Sequence, residues 1–261
     1  MRRPPNRPNA RLADLLAHPA LWQAGRLDTA AAATPSGFSA LDAHLPGGGW
    51  PQAGLAELLL ATAGVGELRL LAPLMAALSR QQPRWVAWIA PPFVPYAPAL
   101  EAQGVQTDRL LLVHPATHPQ TLWALERAGR SGSCSLILGW LDERRLRAAD
   151  TRRLKLAAHQ GNCLICLFRP EQAAARSSMA ELRLRLTPAA ADCVTVDIRK
   201  RRGGWPVDGI RVPFAERQGA VALQAQLDRW RQWLGQRQAM SRPVGLEHDR
   251  EPAMGRPGVV H

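Results

Sequence analysis

Leu55-Ala-Glu-Leu-Leu-Leu-Ala-Thr-Ala-Gly-Val-Gly-Glu-Leu-Arg-Leu-Leu71 holds an apolar run, a glycine-bearing loop and the start of a segment with helical apolar spacing. A strand over Leu55–Leu60 followed by a helix over Glu67–Arg80 is the opening unit of a wound parallel sheet. The pattern repeats outward from it. Further apolar runs at Trp85–Ala90, Leu110–His114, Ser135–Trp140 and Asn162–Phe168 alternate with helical segments at Pro95–Gln103, Pro119–Arg130 and Asp142–Gln160. Continuous apolar character suits strands covered on both faces, and crossovers of this length suit parallel pairing. After Pro170 the period changes to two, in Leu182-Arg-Leu-Arg-Leu186 and Val194-Thr-Val-Asp-Ile198, with a third run at Ile210–Phe214. The expected fold is α/β, a doubly wound, mostly parallel central sheet with an antiparallel C-terminal extension.

The loop lies where a nucleotide-binding protein would place its phosphate-binding motif, but its chemistry differs. That motif needs a lysine for the β/γ-phosphates and a hydroxyl for Mg²⁺. Here Glu67 and Leu68 follow Gly64-Val-Gly66. One unit charge ~4 Å from another is worth about 4 kcal/mol at an effective dielectric of ~20, so an acid in place of a lysine swings the site away from a triphosphate. Glu67 suits the positive end of its own helix instead. Gly139 and Trp140 stand where a magnesium-holding aspartate would fall, although Asp142 is close. Gly64, Gly66, Glu67 and Leu68 thus read as a degenerate phosphate loop, and no cofactor is expected.

The 261 residues carry a net charge of +12, with lysine only at Lys155 and Lys200 among the basic residues below the arginines. Such a charge attracts polyanions, so nucleic acid or an acidic partner is a fair expectation. The longest apolar candidate for a membrane span, from Leu55 to Gly66, carries Glu57 and is too short. Asp14, His18 and Pro19 interrupt the N-terminus where an export signal would need apolar residues, which leaves a cytoplasmic address. Cys134, Cys163, Cys166 and Cys193 read as core thiols. Cys163 and Cys166 have the spacing of a metal or redox pair, but residues three apart in a strand face opposite ways. His114 and His118 are separated by proline-bearing sequence unsuited to a two-histidine helical site, and no metal or catalytic grouping is expected. Residues 1–33 form an arm and linker, 34–235 the main domain with its antiparallel strands and terminal helix, and 236–261 a tail of disordered composition.

Thr34-Pro-Ser-Gly-Phe-Ser-Ala-Leu-Asp42, Leu45-Pro-Gly-Gly-Gly-Trp-Pro51, Glu57-Leu-Leu-Leu60 and Gly64-Val-Gly-Glu-Leu-Arg-Leu-Leu71 resemble the N-terminal half of a RecA-like core. More specifically they are similar to the ImuA family, bacterial damage-inducible proteins related to RecA and to the cell-division inhibitor SulA. The resemblance spans roughly Leu12 to Phe214. It implies a RecA-like fold without recombinase activity, an adaptor in SOS-induced translesion DNA synthesis. Its implied partners are an ImuB-type Y-family-like protein, an error-prone DnaE-type DNA polymerase and RecA. RecA has Lys and Thr where this chain has Glu67 and Leu68, a departure that argues against an ATP-driven cycle. Two alternatives stand beside this reading: an ATPase with an atypical loop, and a SulA-like inhibitor that binds a cytoskeletal GTPase. The chain after Pro170 weighs against the latter.

Candidate surfaces follow from composition and position. Arg199, Lys200, Arg201 and Arg202 run from an alternating strand into a glycine turn and can meet DNA phosphates or an acidic partner, although a solvated turn explains them equally well. Arg144, Arg145, Arg147, Arg152, Arg153 and Lys155 read as a solvated helix face. Trp50, beside three glycines, is a candidate anchor, with packing on the chain's own arm as the simpler account. Leu12, Leu15, Leu16 and Trp22 form an N-terminal helical face resembling the arm of RecA-type subunits. Leu223, Leu227, Trp230 and Leu234 form a second apolar stripe that can dock on the sheet or on a partner.

Overall fold

The strand Gly54–Leu60 (β3) is buried along its whole length, and both its neighbours run parallel to it. The structure, a computed structural model, describes residues 32–190 and 192–214. Before β3 lie a short antiparallel ribbon of Ala33–Thr34 (β1) with Trp50–Pro51 (β2) and one turn of helix at Ser39–Asp42 (α1). After it come the helix Glu67–Gln81 (α2), Trp85–Ile89 (β4), the helix Ala97–Ala102 (α3), Leu110–Val113 (β5) and the helix His118–Arg130 (α4). Cys134–Trp140 (β6), the helix Ala148–Gln160 (α5) and Leu164–Pro170 (β7) complete the wound part. Leu182–Ala190 (β8), Cys193–Lys200 (β9) and Val207–Pro213 (β10) close the described chain.

The main sheet has eight strands in the order β10-β9-β8-β3-β7-β6-β4-β5. Pairing is parallel from β5 through β8, and β9 runs antiparallel to both β8 and β10. The fold is therefore α/β with a mixed, mostly parallel sheet and an antiparallel part at its C-terminal end, as the change of period after Pro170 indicates.

Alternation along the strands divides the core between two faces. Ala56, Leu58, Val86, Trp88, Leu136, Leu138, Cys166 and Phe168 face α2, whose Leu70, Leu71, Leu74, Met75 and Leu78 are buried against them. Leu55, Ala87, Ile137, Ile165 and Leu167 face Leu125 of α4 and Leu154 and Ala158 of α5. Each of these strands is apolar at successive positions because each buries both faces. In β8 and β9 Leu182, Leu184, Leu186, Val194, Val196 and Ile198 join the first core, while arginine, threonine and aspartate alternate with them. Cys163 and Cys166 lie on opposite faces, and all four thiols are free.

The expectation of a helix from Asp142 needs one adjustment. Asp142–Arg147 is a turn, and α5 begins at Ala148 with Asp150 reaching back to the Arg147 N–H at 3.0 Å. Arg144, Arg145 and Arg147 thus precede the helix. Among the described residues no helix is long and apolar enough to cross a membrane.

A buried ion network ties the wound strands to the antiparallel part. Glu57, fully buried at the middle of β3, accepts from Arg169 Nη1 of β7 at 2.7 Å, from Arg183 Nε of β8 at 2.7 Å and from Ser178 Oγ at 2.5 Å. Arg169 continues through Nε and Nη2 to both oxygens of Glu143, which also meets Arg176. Arg183 spends its other nitrogens on the carbonyls of Ala173 and Arg176. Every charge is paired and each guanidinium nitrogen of Arg169 and Arg183 makes at least one bond, the condition under which buried ions are tolerated. Partial burial pushes the Glu143 carboxyl up, and the bonds and charges of Arg169 and Arg176 outweigh it, holding the group below the usual carboxylate range.

Candidate functional site

The parallel strands β3, β4, β6 and β7 end at one edge, and the loops that follow them enclose a cleft of about 510 Å³. Its wall is aromatic. Trp140 pairs in register with Phe168, and the two rings stack at 4.4 Å with 12° between planes. Trp88, one strand further out, lies 5.7 Å from Trp140. The loop after β4 rises over the mouth as Pro91-Pro-Phe-Val-Pro-Tyr96, with Ala90 at φ 55° turning the chain out of the sheet. Phe93 is 74% exposed and Val94 80% exposed, unusual for side chains of their kind beside a cleft.

The opposite rim is the glycine loop. Gly64 and Gly66 both take positive φ, 88° and 104°, and Gly66 caps α2. Glu67 folds back so that its Oε1 accepts from the Gly64 N–H at 2.8 Å. Its Oε2 is buried with no hydrogen-bond partner among the described residues. Leu68 packs against the first core. The four residues are brought together, but as a turn closed by its own acid. Phe214, just beyond β10, lies over Gly66 and has the Arg69 guanidinium 4.3 Å from its ring centroid.

The basic run is dispersed among structural bonds. Arg199 pairs with Asp208 at 3.1 Å, Lys200 Nζ donates to the Ser178 carbonyl at 2.9 Å, and Arg201 Nη1 donates to the His44 carbonyl. Burial, followed by the nearby charges of Lys155 and Arg183, lowers the Lys200 pKa. Burial likewise lowers that of Arg201. Arg202 is exposed, as is Trp205 in the same turn. Trp50 is fully buried, with Leu41 and Leu45 in the first core, and offers no ring to a partner. Leu12, Leu15, Leu16, Trp22, Leu223, Leu227, Trp230 and Leu234 lie outside the described residues. Among the described residues no group of three or more His, Cys, Asp or Glu side chains is placed to hold a metal.

Residues 57–165, from the middle of β3 to the start of β7, match the family model "Cell division inhibitor SulA". The chain is 35% identical over 115 residues to a cell division inhibitor SulA of Photorhabdus laumondii, covering 44% of this chain and 63% of that one. It is 34% identical over 122 residues to the SulA of Edwardsiella piscicida, covering 47% of this chain and 71% of the relative. The chain belongs to the SulA family. A crystal structure of SulA from Pseudomonas aeruginosa is also similar, at 29% identity and a TM-score of 0.37, over 44% of this chain and 97% of that one. The chain spans between 60% and 71% of the length of the first three curated SulA relatives it matches.

SulA membership corrects the assignment to ImuA, and with it the translesion adaptor role and the ImuB-type, DnaE-type polymerase and RecA partners. The motifs at 34–51 and 64–71 do not separate the two families, and neither does the chain after Pro170. The match is carried by 57–165, and β8–β10 lie beyond it. The comparisons also give no support to a relic nucleotide loop, consistent with Glu67 satisfying the loop from within. Sequence reasoning passed over the Phe93 loop and the Trp88–Trp140–Phe168 wall. A proline-rich segment bearing Phe, Val and Tyr directly after a buried strand was the available signal.

Proposed function

We propose that this SulA-family chain inhibits cell division by binding the cytoskeletal GTPase of the division machinery, FtsZ. The observation that carries the reading is the 34% identity over 71% of a cell division inhibitor's length. The exposed Phe93-Val94 loop falls inside the matched segment and supplies an apolar contact of the kind that anchors protein interfaces. Action by binding needs no catalytic group, so the protein is read as a non-enzyme, and its target puts it in the cytoplasm. Its architecture is read as RecA-like and doubly wound, supported by helices on both faces and by the reversal of strand order around β4. Arg199 and Arg202, exposed at the far rim, are secondary candidates for contact with an acidic partner.

Induced expression in a rod-shaped bacterium should give filamentous cells, and Phe93→Ser/Val94→Ser should restore division at equal protein level. In a sedimentation assay the purified full chain should reduce the FtsZ polymer pelleted with GTP. Normal cell length together with an unchanged pellet would reject the proposal.

A further inference from the structure

The cleft holds two buried polar atoms without a hydrogen-bond partner among the described residues. Glu67 is 8% exposed, and while Oε1 is held by Gly64, Oε2 has no partner among the described residues. The indole N–H of Trp88, in the same lining, is also without one. A buried polar atom left unpaired costs free energy that a ligand supplying the missing bond recovers. The volume, about 510 Å³, is in the range of small-molecule sites.

The lining also selects the ligand's charge. Arg169 is the cation among the lining residues, and its Nε, Nη1 and Nη2 already donate to Glu143 and Glu57. With the carboxylates of Glu57 and Glu143 set against this one guanidinium, the lining offers an anion no net positive charge. Glu67 offers an acid acceptor, and Trp88, Trp140, Phe168 and Tyr96 offer aromatic faces, the surroundings that hold organic cations. We propose that the cleft binds a small aromatic amine, its ring against the Trp140–Phe168 wall and its ammonium donating to Glu67 Oε2 after a small rotation of the carboxyl group. Phe93 and Val94 border this cleft as well as forming the proposed target contact, but the ligand's own contacts are with Glu67, Trp140 and Phe168, and its binding is read without the division target.

Isothermal titration of the full chain with three probes of one shape tests this: tryptamine, its neutral alcohol tryptophol and the anion indole-3-acetate. Tryptamine should bind about ten- to a hundredfold tighter than tryptophol, the range of a charge-assisted hydrogen bond, and indole-3-acetate weakest. Glu67→Gln keeps an oxygen for Gly64 and removes the acid, so it should abolish the preference for tryptamine while leaving tryptophol affinity within about twofold. Trp140→Leu should weaken both, with the circular dichroism spectrum unchanged. Absence of heat from all three probes, equal affinities, or a preference that survives Glu67→Gln would overturn the proposal.

Discussion

Glu57→Gln is the most informative single substitution in this fold, because it keeps the shape of a fully buried side chain and removes its charge. In the native chain the carboxylate receives three bonds of 2.7 Å or less, from Arg169, Arg183 and Ser178. The amide can accept on one side only, so its NH₂ group must face a guanidinium or Ser178. Arg183, whose side chain is 8% exposed, then keeps only carbonyl partners. Breaking a buried ion pair from one side typically costs about 3–5 kcal/mol. Divided by a urea slope of roughly 2–3 kcal/mol/M, that is a midpoint lower by about 1–2.5 M. Glu143→Gln is the control. Glu143 is more exposed, and Arg169 would keep Glu57, so the loss should be smaller, about 1–2 kcal/mol. Urea titration followed by tryptophan fluorescence and by circular dichroism, with coincident curves, measures both. A Glu57→Gln loss below about 1 kcal/mol, or one no larger than that of Glu143→Gln, would refute the view that this network secures β8 to the wound strands.

The Glu143 carboxyl sits below its unfolded value, so its contribution is present above the ordinary carboxylate range and disappears as pH falls through the folded value. The stability gap between the wild type and Glu143→Gln should therefore close as titrations move from about pH 7 to below about pH 4. Gly66→Ala must adopt φ 104° and bring a methyl group to 2.8 Å from the Phe214 ring, so it should lower stability by about 2 kcal/mol. Gly64→Ala, with open space around it, should cost about 1 kcal/mol in the same melt. Burial pushes the Cys163 thiol up to about 12 and raises Cys166 and Cys134 as well. An aromatic disulfide reagent at pH 8 should therefore label Cys193 first in the native protein and all four thiols in urea. Phe93→Ser/Val94→Ser should leave the unfolding free energy from urea titration within about 0.5 kcal/mol of wild type, since neither side chain is in the core.

The wound part of the sheet was legible because continuous apolar runs such as Trp85–Ala90 and Asn162–Phe168 have few other uses in a chain of this charge. The half-covered strands β8 and β9 were legible for the complementary reason: an arginine or threonine at every second position fits one dry face only. The start of α5 was not, since Glu143 to Arg147 are all acceptable helix residues and only the backcap by Asp150 ends the turn. The site was read less well. Glu57 looks in sequence like an interruption of an apolar run, and its partners become visible only when register brings Arg183 opposite and Arg169 diagonal to it. The aromatic wall likewise depends on Trp140 falling level with Phe168, a consequence of sheet order rather than spacing. Family choice failed at a different level, because shared loop motifs do not separate related families that use one scaffold.

The position of β3 sets a timetable for the ribosome. This strand is made first among the eight, yet its neighbours are β7 and β8, which start at Leu164 and Leu182. At roughly 5–20 residues per second, a nascent chain carries this strand, apolar but for Glu57, with both edges bare for roughly 5–20 s. The acid at its midpoint then does early what an ion pair does late: an unpaired charge in so sticky a segment discourages copies on neighbouring ribosomes from zipping together before their own arginines arrive.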